Sequence, residues 1–449
     1  MAARSPDHFA SKDLRIGVIG CGYVGLPLAL RFAEVGQRVT GFDTDPAKVD
    51  QLNAGQTYIR HIPAEDIRRW RNAGRFEASG DFRRLREMDA ILICVPTPLD
   101  ERRQPDLTYV VATARSIAQN LQPGQLVVLE STTYPGTTDE LLLPILEASG
   151  LRCAIGAGSG AETVPDFYLA FSPEREDPGN RKYTLRQIPK VVGGINLPSR
   201  RAAAALYSQA VASVVPVSST RAAEMVKLVE NIFRSVNIAM VNELKLLSLR
   251  MGVDIWEVIE TASTKPFGYM PFWPGPGLGG HCIPVDPFYL SWKAREYDFS
   301  TRFVELAGEI NTAMPYHVVD AVAGALNERR KSLQGARVLV LGVAYKKDID
   351  DLRESPALKI MELLQARGAE VDYNDPYFPQ LHKMRRYDYS RLRSVELAPN
   401  RIASYDCVLI ATDHSAYDYP AIVAAAQLVV DTRNATRAVA EQREKIVRC

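Results

Sequence analysis

The residues with the greatest chemical capacity lie in one short run, Gly275-Pro-Gly-Leu-Gly-Gly-His-Cys-Ile-Pro-Val-Asp-Pro-Phe-Tyr289. Cys282 has His281 beside it and Asp286 four residues on, residue types that can support a thiolate attacking an electrophilic carbon. Gly275, Gly277, Gly279 and Gly280 allow positive φ and close approach of main chain to a ligand, while Pro274, Pro276, Pro284 and Pro287 fix φ and remove amide donors. The run is therefore expected to be a stiff, open loop of the kind that presents a nucleophile. A second reading fits the same residues: Cys282 as a small buried hydrophobe with an incidental histidine neighbour.

A second constellation lies near the start. Leu14 to Ile19 reads as a strand, Gly20-Cys-Gly-Tyr-Val-Gly25 as a turn, and Leu26 to Val35 as a helix with Gly36 as its C-cap. Gln37 to Phe42 reads as the next strand, ending at Asp43, eighteen residues after Gly25. That spacing completes a dinucleotide-binding fingerprint. Gly20 makes the tight turn, Gly22 lets backbone amides approach a pyrophosphate, and Gly25 lets the helix pack on the strand, with Tyr23 and Val24 carried in the same turn. Asp43 accepts hydrogen bonds from a ribose diol and would repel a 2′-phosphate, so the expected cofactor is NAD rather than NADP. Lys48 either touches the ribose region or is solvated.

The alternation continues with a strand at Ala90 to Val95 running into Pro96-Thr-Pro98, a helix from Tyr109 to Asn120, and a strand at Leu126 to Leu129 running into Glu130-Ser-Thr-Thr-Tyr-Pro-Gly136. Both loops sit at carboxyl ends of parallel strands, where open α/β sheets bind ligands, so Thr97, Ser131 and Thr132 are candidate contacts. The alternative is that hydroxyls here only cap the next helix, as Thr137 or Thr138 are placed to do. Phe167 to Phe171 is a further strand leading into Ser172-Pro-Glu-Arg-Glu-Asp-Pro-Gly179. Glu174 is the candidate acid/base or water-orienting group there, against a reading of these carboxylates as solvated loop charge.

From Ser218 to Ser263 the pattern is helical without strand signals. Lys227 and Asn231, one turn apart and in line with Ala223, share a face that could hold a substrate oxygen; the bland reading is a solvated lysine. Asn237 and Asn242 read as packing or interface groups, and a helix of this length joining two domains is expected to supply a dimer seam. After a helix at Phe303 to Asn327, strands return at Arg337 to Gly342, Val371 to Asp375, Tyr405 to Thr412 and Leu428 to Asp431, with a helix from Ser355 to Arg367. The turn Gly342-Val-Ala-Tyr-Lys-Lys-Asp348 lacks the glycine fingerprint. It is expected to bind a different phosphate-bearing ligand with help from Lys346 and Arg353, unless these cations only balance Asp348, Asp350 and Asp351.

With 449 residues the chain exceeds one compact core, and three domains are expected. Apolar residues at 46%, charged residues at 24% and a formal charge of +1 describe an ordinary globular protein with no electrostatic reason to bind nucleic acid. Cys21, Cys94, Cys153, Cys282, Cys407 and Cys449 are scattered without zinc-ligand spacing, which disfavours a metal site or disulfide framework and fits a reducing cytoplasm. Met1 to Lys12 reads as a short disordered lead without a signal-peptide core, and no apolar run approaches a membrane span.

Taken in order, Gly20-Cys-Gly-Tyr-Val-Gly25, Val95-Pro-Thr-Pro98, Glu130-Ser-Thr132, Ser172-Pro-Glu174, Lys227-Leu-Val-Glu-Asn231, Gly279-Gly-His-Cys-Ile-Pro-Val-Asp286, Ala344-Tyr-Lys-Lys-Asp348 and Arg353-Glu-Ser355 resemble the UDP-glucose/GDP-mannose dehydrogenase family. The resemblance spans residues 14 to 435. It implies an α/β fold of two Rossmann-like, doubly wound parallel-sheet domains joined by a long central helix and helical region: 1–214 binding NAD, 215–325 forming a helical dimerisation domain with the cysteine loop, and 326–449 binding a UDP-sugar.

The implied reaction is a four-electron oxidation of a nucleotide sugar's C6 alcohol to a carboxylate, consuming two NAD⁺, with Cys282 capturing the aldehyde as a thiohemiacetal that is oxidised to a thioester and hydrolysed. Lys227 would stabilise the developing oxyanion, Asn231 position the sugar, Asp286 and Thr132 hold a water, and Glu174 assist proton transfer. Arg353 would reach the cofactor, and Gly279, Gly280, Tyr345 and Lys346 the UDP-sugar. The run from Ser263 to Cys282 looks most like members acting on 2-acetamido sugars, UDP-N-acetylglucosamine above all. Phe267, Tyr269, Phe272 and Trp273 either pack on the acetamido methyl or only shape the loop. UDP-N-acetylmannosamine, UDP-N-acetylgalactosamine and UDP-glucose stay open as substrates, as does a non-catalytic nucleotide-sugar sensor. The expected assembly is a homodimer through the central helix.

Overall fold

The computed structural model describes residues 4–59, 62–100, 102–153, 165–175, 184–280, 283–384 and 386–449. The chain divides into two compact units, Met1–Glu230 with Phe288–Phe299, and Asn231–Pro287 with Ser300–Cys449.

The first unit is built on a sheet of β1 (Arg15–Ile19), β2 (Arg38–Phe42), β3 (Phe76–Ser79), β4 (Ala90–Ile93), β5 (Leu126–Leu129), β6 (Tyr168–Phe171), β7 (Lys190–Gly194) and β8 (Val214–Pro216), in the order β3-β2-β1-β4-β5-β6-β7-β8. Strands β4, β5 and β6 are apolar at every position because both faces are covered. Helices Gly25–Glu34, Ala64–Asn72 and Leu197–Ala210 pack on one face, with Leu26, Phe32, Ile67 and Leu206 in the core. Helices Thr108–Ala118 and Leu143–Glu147 pack on the other through Val110, Ile117 and Leu146. The winding reverses between β1 and β4, which puts a ligand crevice at their carboxyl ends. The sheet departs from the expected parallel arrangement at one step: β7 runs antiparallel to β6, with Ala170 opposite Gly194.

The disordered lead expected at Met1 to Lys12 is overturned for residues 4–12. A 3-10 turn, Pro6–Ala10, buries Phe9 completely beside Tyr168, ring centroids 5.6 Å apart. Gln209 donates to the Phe9 carbonyl at 2.7 Å and Gln37 to that of Ser11 at 3.0 Å. One aromatic in a polar stretch leaves no periodicity to read, yet its burial fixes the segment.

The second unit holds a five-stranded, all-parallel sheet of β9 (Arg337–Leu341), β10 (Glu370–Asn374), β11 (Cys407–Ile410), β12 (Val429–Asp431) and β13 (Ile446–Arg448), ordered β10-β9-β11-β12-β13. Helices Arg302–Glu328 and Pro356–Ala366 cover one face through Val318, Val322, Ile360 and Leu364. Ile402, Ile422 and Val423 cover the other. The connecting helix, Thr220–Met251, contributes residues to both units and stops at Gly252, whose φ of +68° suits a C-terminal glycine. Among the described residues no helix is long and apolar enough to cross a membrane, and no cluster of three or more His, Cys, Asp or Glu side chains is poised to hold a metal.

Candidate active site

The dinucleotide turn links β1 to helix Gly25–Glu34. Gly20 has φ +93°, and a Cβ there would lie 2.7 Å from the Cys94 carbonyl oxygen; one on Gly25 would lie 2.0 Å from the Gly20 oxygen. A Cβ on Gly22 would meet no protein atom within 4 Å. Two glycines are thus required by the protein's own packing, while Gly22 faces open space of the kind a phosphate needs. Tyr23 and Val24 are half-buried in this turn. Asp43, closing β2, accepts from the Cys21 amide at 3.0 Å and, through its other oxygen, from Asp45 N at 3.0 Å, with Lys48 Nζ 3.6 Å away. Tyr58 donates to the Cys21 carbonyl. The cradle fits NAD: an open glycine at a helix start, and an acid whose unused lone pairs can take a ribose diol. Burial, with Asp43 nearby, pushes the Cys21 thiol up to about 12, so it stays neutral.

Past β4, Thr97 is buried and its carbonyl accepts from the Tyr289 hydroxyl at 2.9 Å. Past β5, the Ser131 hydroxyl lies 2.7 Å from the Val95 carbonyl, so it ties the two loops together; Thr132 is half-buried. The alternative of capping by Thr137 or Thr138 does not hold. Thr137 donates back to Tyr134 at 2.7 Å, and Glu224 from the connecting helix caps instead, accepting from Gly136 N at 2.6 Å, Thr138 N at 2.9 Å and Thr138 Oγ1 at 2.7 Å. A carboxylate satisfies three donors where a hydroxyl satisfies one.

Glu174 follows β6 in a buried charge cluster. Its carboxylate lies 3.2 Å from Lys190 Nζ, which also contacts Glu130 at 2.5 Å, while Tyr207 donates to the other Glu130 oxygen. Lys227 Nζ donates to the Glu174 backbone carbonyl, so two predicted site residues meet here. Desolvation acts to lower the Lys190 pKa, but Glu130 and Glu174 more than offset it and keep the ammonium charged. Desolvation raises Glu130, only partly countered by Lys190. Sequence reasoning singled out neither Lys190 nor Glu130 nor Tyr207; an acid closing an otherwise apolar strand and a lysine opening another were the available signals.

In the second unit, Asn231 and Asp286 are both buried and hydrogen-bonded, Asn231 Nδ2 donating to Asp286 Oδ2, while Arg234 donates to Asn231 Oδ1. Arg234 went unread; its i, i+3 spacing from Asn231 was the signal. Asn242, expected to serve packing or an interface, anchors the glycine loop by accepting from Gly275 N at 2.9 Å and is itself braced by Asn311 at 3.0 Å. At the loop's far end Gly280 N donates to the Arg353 carbonyl at 2.9 Å, and Gly279 and Gly280 lie against Tyr345, where a Cβ would come within 2.5 and 2.9 Å respectively. The Arg353 guanidinium grips the Asp351 carboxylate, Nε lying 3.0 Å from each oxygen and Nη2 2.7 Å from Oδ2. Lys346 is half-buried. His281 and Cys282 lie outside the described residues. Thr132 and Glu174 belong to the first unit, and Asn231 and Asp286 to the second.

Residues 14–211 match the NAD binding domain of the UDP-glucose/GDP-mannose dehydrogenase family, residues 221–313 its central domain and residues 339–438 its UDP binding domain. The chain belongs to the UDP-glucose/GDP-mannose dehydrogenase family. A UDP-N-acetyl-D-glucosamine 6-dehydrogenase of Pseudomonas aeruginosa is 34% identical over 90% of this chain and 92% of its own length. A UDP-N-acetyl-D-mannosamine dehydrogenase of Pyrococcus horikoshii is 36% identical over 89% and 90%. The solved structure of a UDP-D-ManNAc dehydrogenase from Pyrococcus horikoshii superposes with a TM-score of 0.83 at 32% identity, covering 97% of this chain and 98% of that one. As a member of the UDP-glucose/GDP-mannose dehydrogenase family, the protein is an NAD-dependent oxidoreductase of the UDP-sugar dehydrogenase class.

Proposed function

We propose that this dehydrogenase oxidises the C6 alcohol of a UDP-N-acetylhexosamine, UDP-N-acetylglucosamine foremost, to the uronate. The observation that carries the reading is the seating of Gly279 and Gly280 on Tyr345 and the Arg353 carbonyl. It ties the segment leading into Cys282 to the loop that also bears Lys346, in the domain matched to UDP binding. The buried Asn231–Asp286 pair supports it, since that carboxylate is held where neither partner is free to rotate.

NAD⁺ held by the Gly20–Gly25 turn and Asp43 would supply the hydride acceptor for each of the two oxidations at C6. The residues supply the rest. Lys227 holds the C6 oxygen as its proton departs, and Glu174 receives that proton. The Cys282 sulfur bonds to the aldehyde carbon and retains it through the second oxidation, and a water oriented by Asp286 and Thr132 then breaks the thioester. Asp43 and the glycine turn hold the adenosine side of the dinucleotide.

UDP-N-acetylmannosamine is the second reading, favoured by the 36% identity of the Pyrococcus horikoshii relative named for it. Phe233, Met240, Leu244, Leu247 and Met251 are exposed along the connecting helix, and we read this apolar stripe as a homodimer seam, to be checked by sedimentation. A panel of UDP-sugars read by NADH absorbance tests the whole reading. Two NADH per UDP-N-acetylhexosamine support it; one indicates a simple alcohol dehydrogenase, and none a binding protein. Cys282→Ser is expected to abolish uronate formation while NAD⁺ binding, measured by fluorescence, stays within about twofold.

A further inference from the structure

The loop after β9 carries Tyr345 and Lys346, and its conformation is held by a buried imidazole no part of the mechanism uses. His414 follows β11 and is fully buried, as is the Asp375 side chain at the end of β10. The Asp348 amide donates to His414 Nδ1 at 3.0 Å, so that nitrogen offers a lone pair and the ring proton resides on Nε2. From there it is donated to Asp375 Oδ2, 3.1 Å away. The same Asp375 oxygen accepts from Val343 N at 2.7 Å and Ala344 N at 3.1 Å, and the other accepts from Tyr377 N at 2.8 Å.

The loop is therefore gripped at both ends. Asp375 holds its start at residues 343 and 344, and the imidazole, itself fixed by Asp375, holds residue 348. Ser415, next to the histidine, adds a second clasp through its amide and hydroxyl to the Asp348 carboxylate at 2.8 and 2.7 Å. Asp348 has φ +58°, a conformation an aspartate adopts only at a cost, so the clasps define the bend. Tyr377 and Tyr417 flank the ring with centroids 5.0 and 5.7 Å away. Between the gripped ends lie Tyr345 and Lys346, and onto Tyr345 fold Gly279 and Gly280.

We infer that His414 is a positioning residue for the UDP-sugar: as its Nε2–H tautomer it couples Asp375 to the Asp348 amide and so sets the shape of the loop that meets the ligand. The inference rests on the reading of Tyr345 and Lys346 as UDP-sugar contacts. UDP itself is the probe, because its binding is independent of which sugar is oxidised and of the cysteine chemistry.

In His414→Phe, calorimetry is expected to show UDP affinity reduced tenfold or more with NAD⁺ affinity within twofold of wild type; KM for the UDP-sugar rises while kcat stays within about threefold. His414→Asn, whose amide oxygen can replace the Nδ1 acceptor, is expected to recover at least half of the lost binding free energy. Ser415→Ala, which leaves the core intact, is expected to weaken UDP about threefold and serves if the phenylalanine variant does not fold. UDP bound as tightly as in wild type by both His414→Phe and Ser415→Ala would overturn the inference, as would equal losses of UDP and NAD⁺. Lys346→Met separates this from the parent reading: if it leaves UDP binding unchanged, the ligand assignment fails first.

Discussion

The two sheets are variations on one plan. The order β2-β1-β4-β5-β6 recurs as β10-β9-β11-β12-β13, and each first strand runs into a positive-φ glycine, Gly20 or Gly342, packed against a residue one or two positions past the neighbouring strand, Cys94 or Thr412. Each second strand ends in an acid, Asp43 or Asp375, that binds amides of the turn. There the likeness stops. Asp43 binds two amides, those of Cys21 and Asp45, and retains 9% exposure, whereas Asp375 binds three amides and the His414 ring and has no exposed side-chain surface. An acid left partly open has capacity for a ligand; an acid saturated by its own protein holds the loop. In the second sheet the His414 ring thus takes up acceptor capacity that the matching acid of the first sheet leaves open.

The comparison breaks most decisively at the two acids. Asp375→Ala leaves four donors, three of them buried, without an acceptor and is expected to destabilise the second unit by about 4 kcal/mol, seen as a lowered midpoint in thermal unfolding. Asp43→Ala is expected to cost about 1–2 kcal/mol of stability while weakening NAD⁺ at least tenfold and UDP within twofold. Equal midpoints for the two variants would erase the distinction.

A second contrast lies in pH. Burial pushes the Glu224 carboxyl of the first unit up to about 7, against the donors at Gly136 and Thr138 that favour its charge. Its protonated form is the one the fold prefers, so that contribution is complete below the ordinary carboxylate pKa and is lost as pH rises through 7, a change of about 3 kcal/mol at most. Desolvation works the same way on Asp375, but the hydrogen bond from His414 and the turn amides overcome it and hold that carboxyl below its ordinary value. Its contribution is present above that ordinary value and fades as pH falls further. Denaturant midpoints followed from pH 4 to 8 should decline for the first unit as pH rises from the ordinary carboxylate value to about 7 and then level off, and Glu224→Gln should flatten that decline.

The turns supply the last contrast. Gly22→Ala meets no atom and should leave stability unchanged while raising KM for NAD⁺ several-fold; Gly342→Ala places a Cβ 2.4 Å from the Thr412 oxygen and should cost stability by about 2 kcal/mol, read in thermal unfolding. A stable Gly342→Ala protein would contradict the tight packing described for the second turn.

Much of this was legible because it is local. The Gly20 to Gly25 turn with Asp43, the apolar strands β1, β4, β5, β9 and β11, and the connecting helix are written in short-range spacing and periodicity. The three-residue strands β8 and β13 lack the continuous apolar run that marks the equally short β12, being half-exposed where β12 is buried throughout. Lys190 and His414 escaped notice for a different reason: each is polar in the core only because tertiary structure brings it a partner, from 60 residues away for Lys190 and 66 for His414. The antiparallel turn-back of β7 likewise has no signature in Lys190–Gly194 itself.

Phe9 has a practical corollary. Because its ring seals Tyr168 and its carbonyl engages Gln209, a version of the enzyme trimmed to begin at the first strand would strip a lid from the underside of the dinucleotide domain and uncover fresh apolar surface. Such a shortened protein should clump on concentration, although every residue assigned to chemistry would still be present.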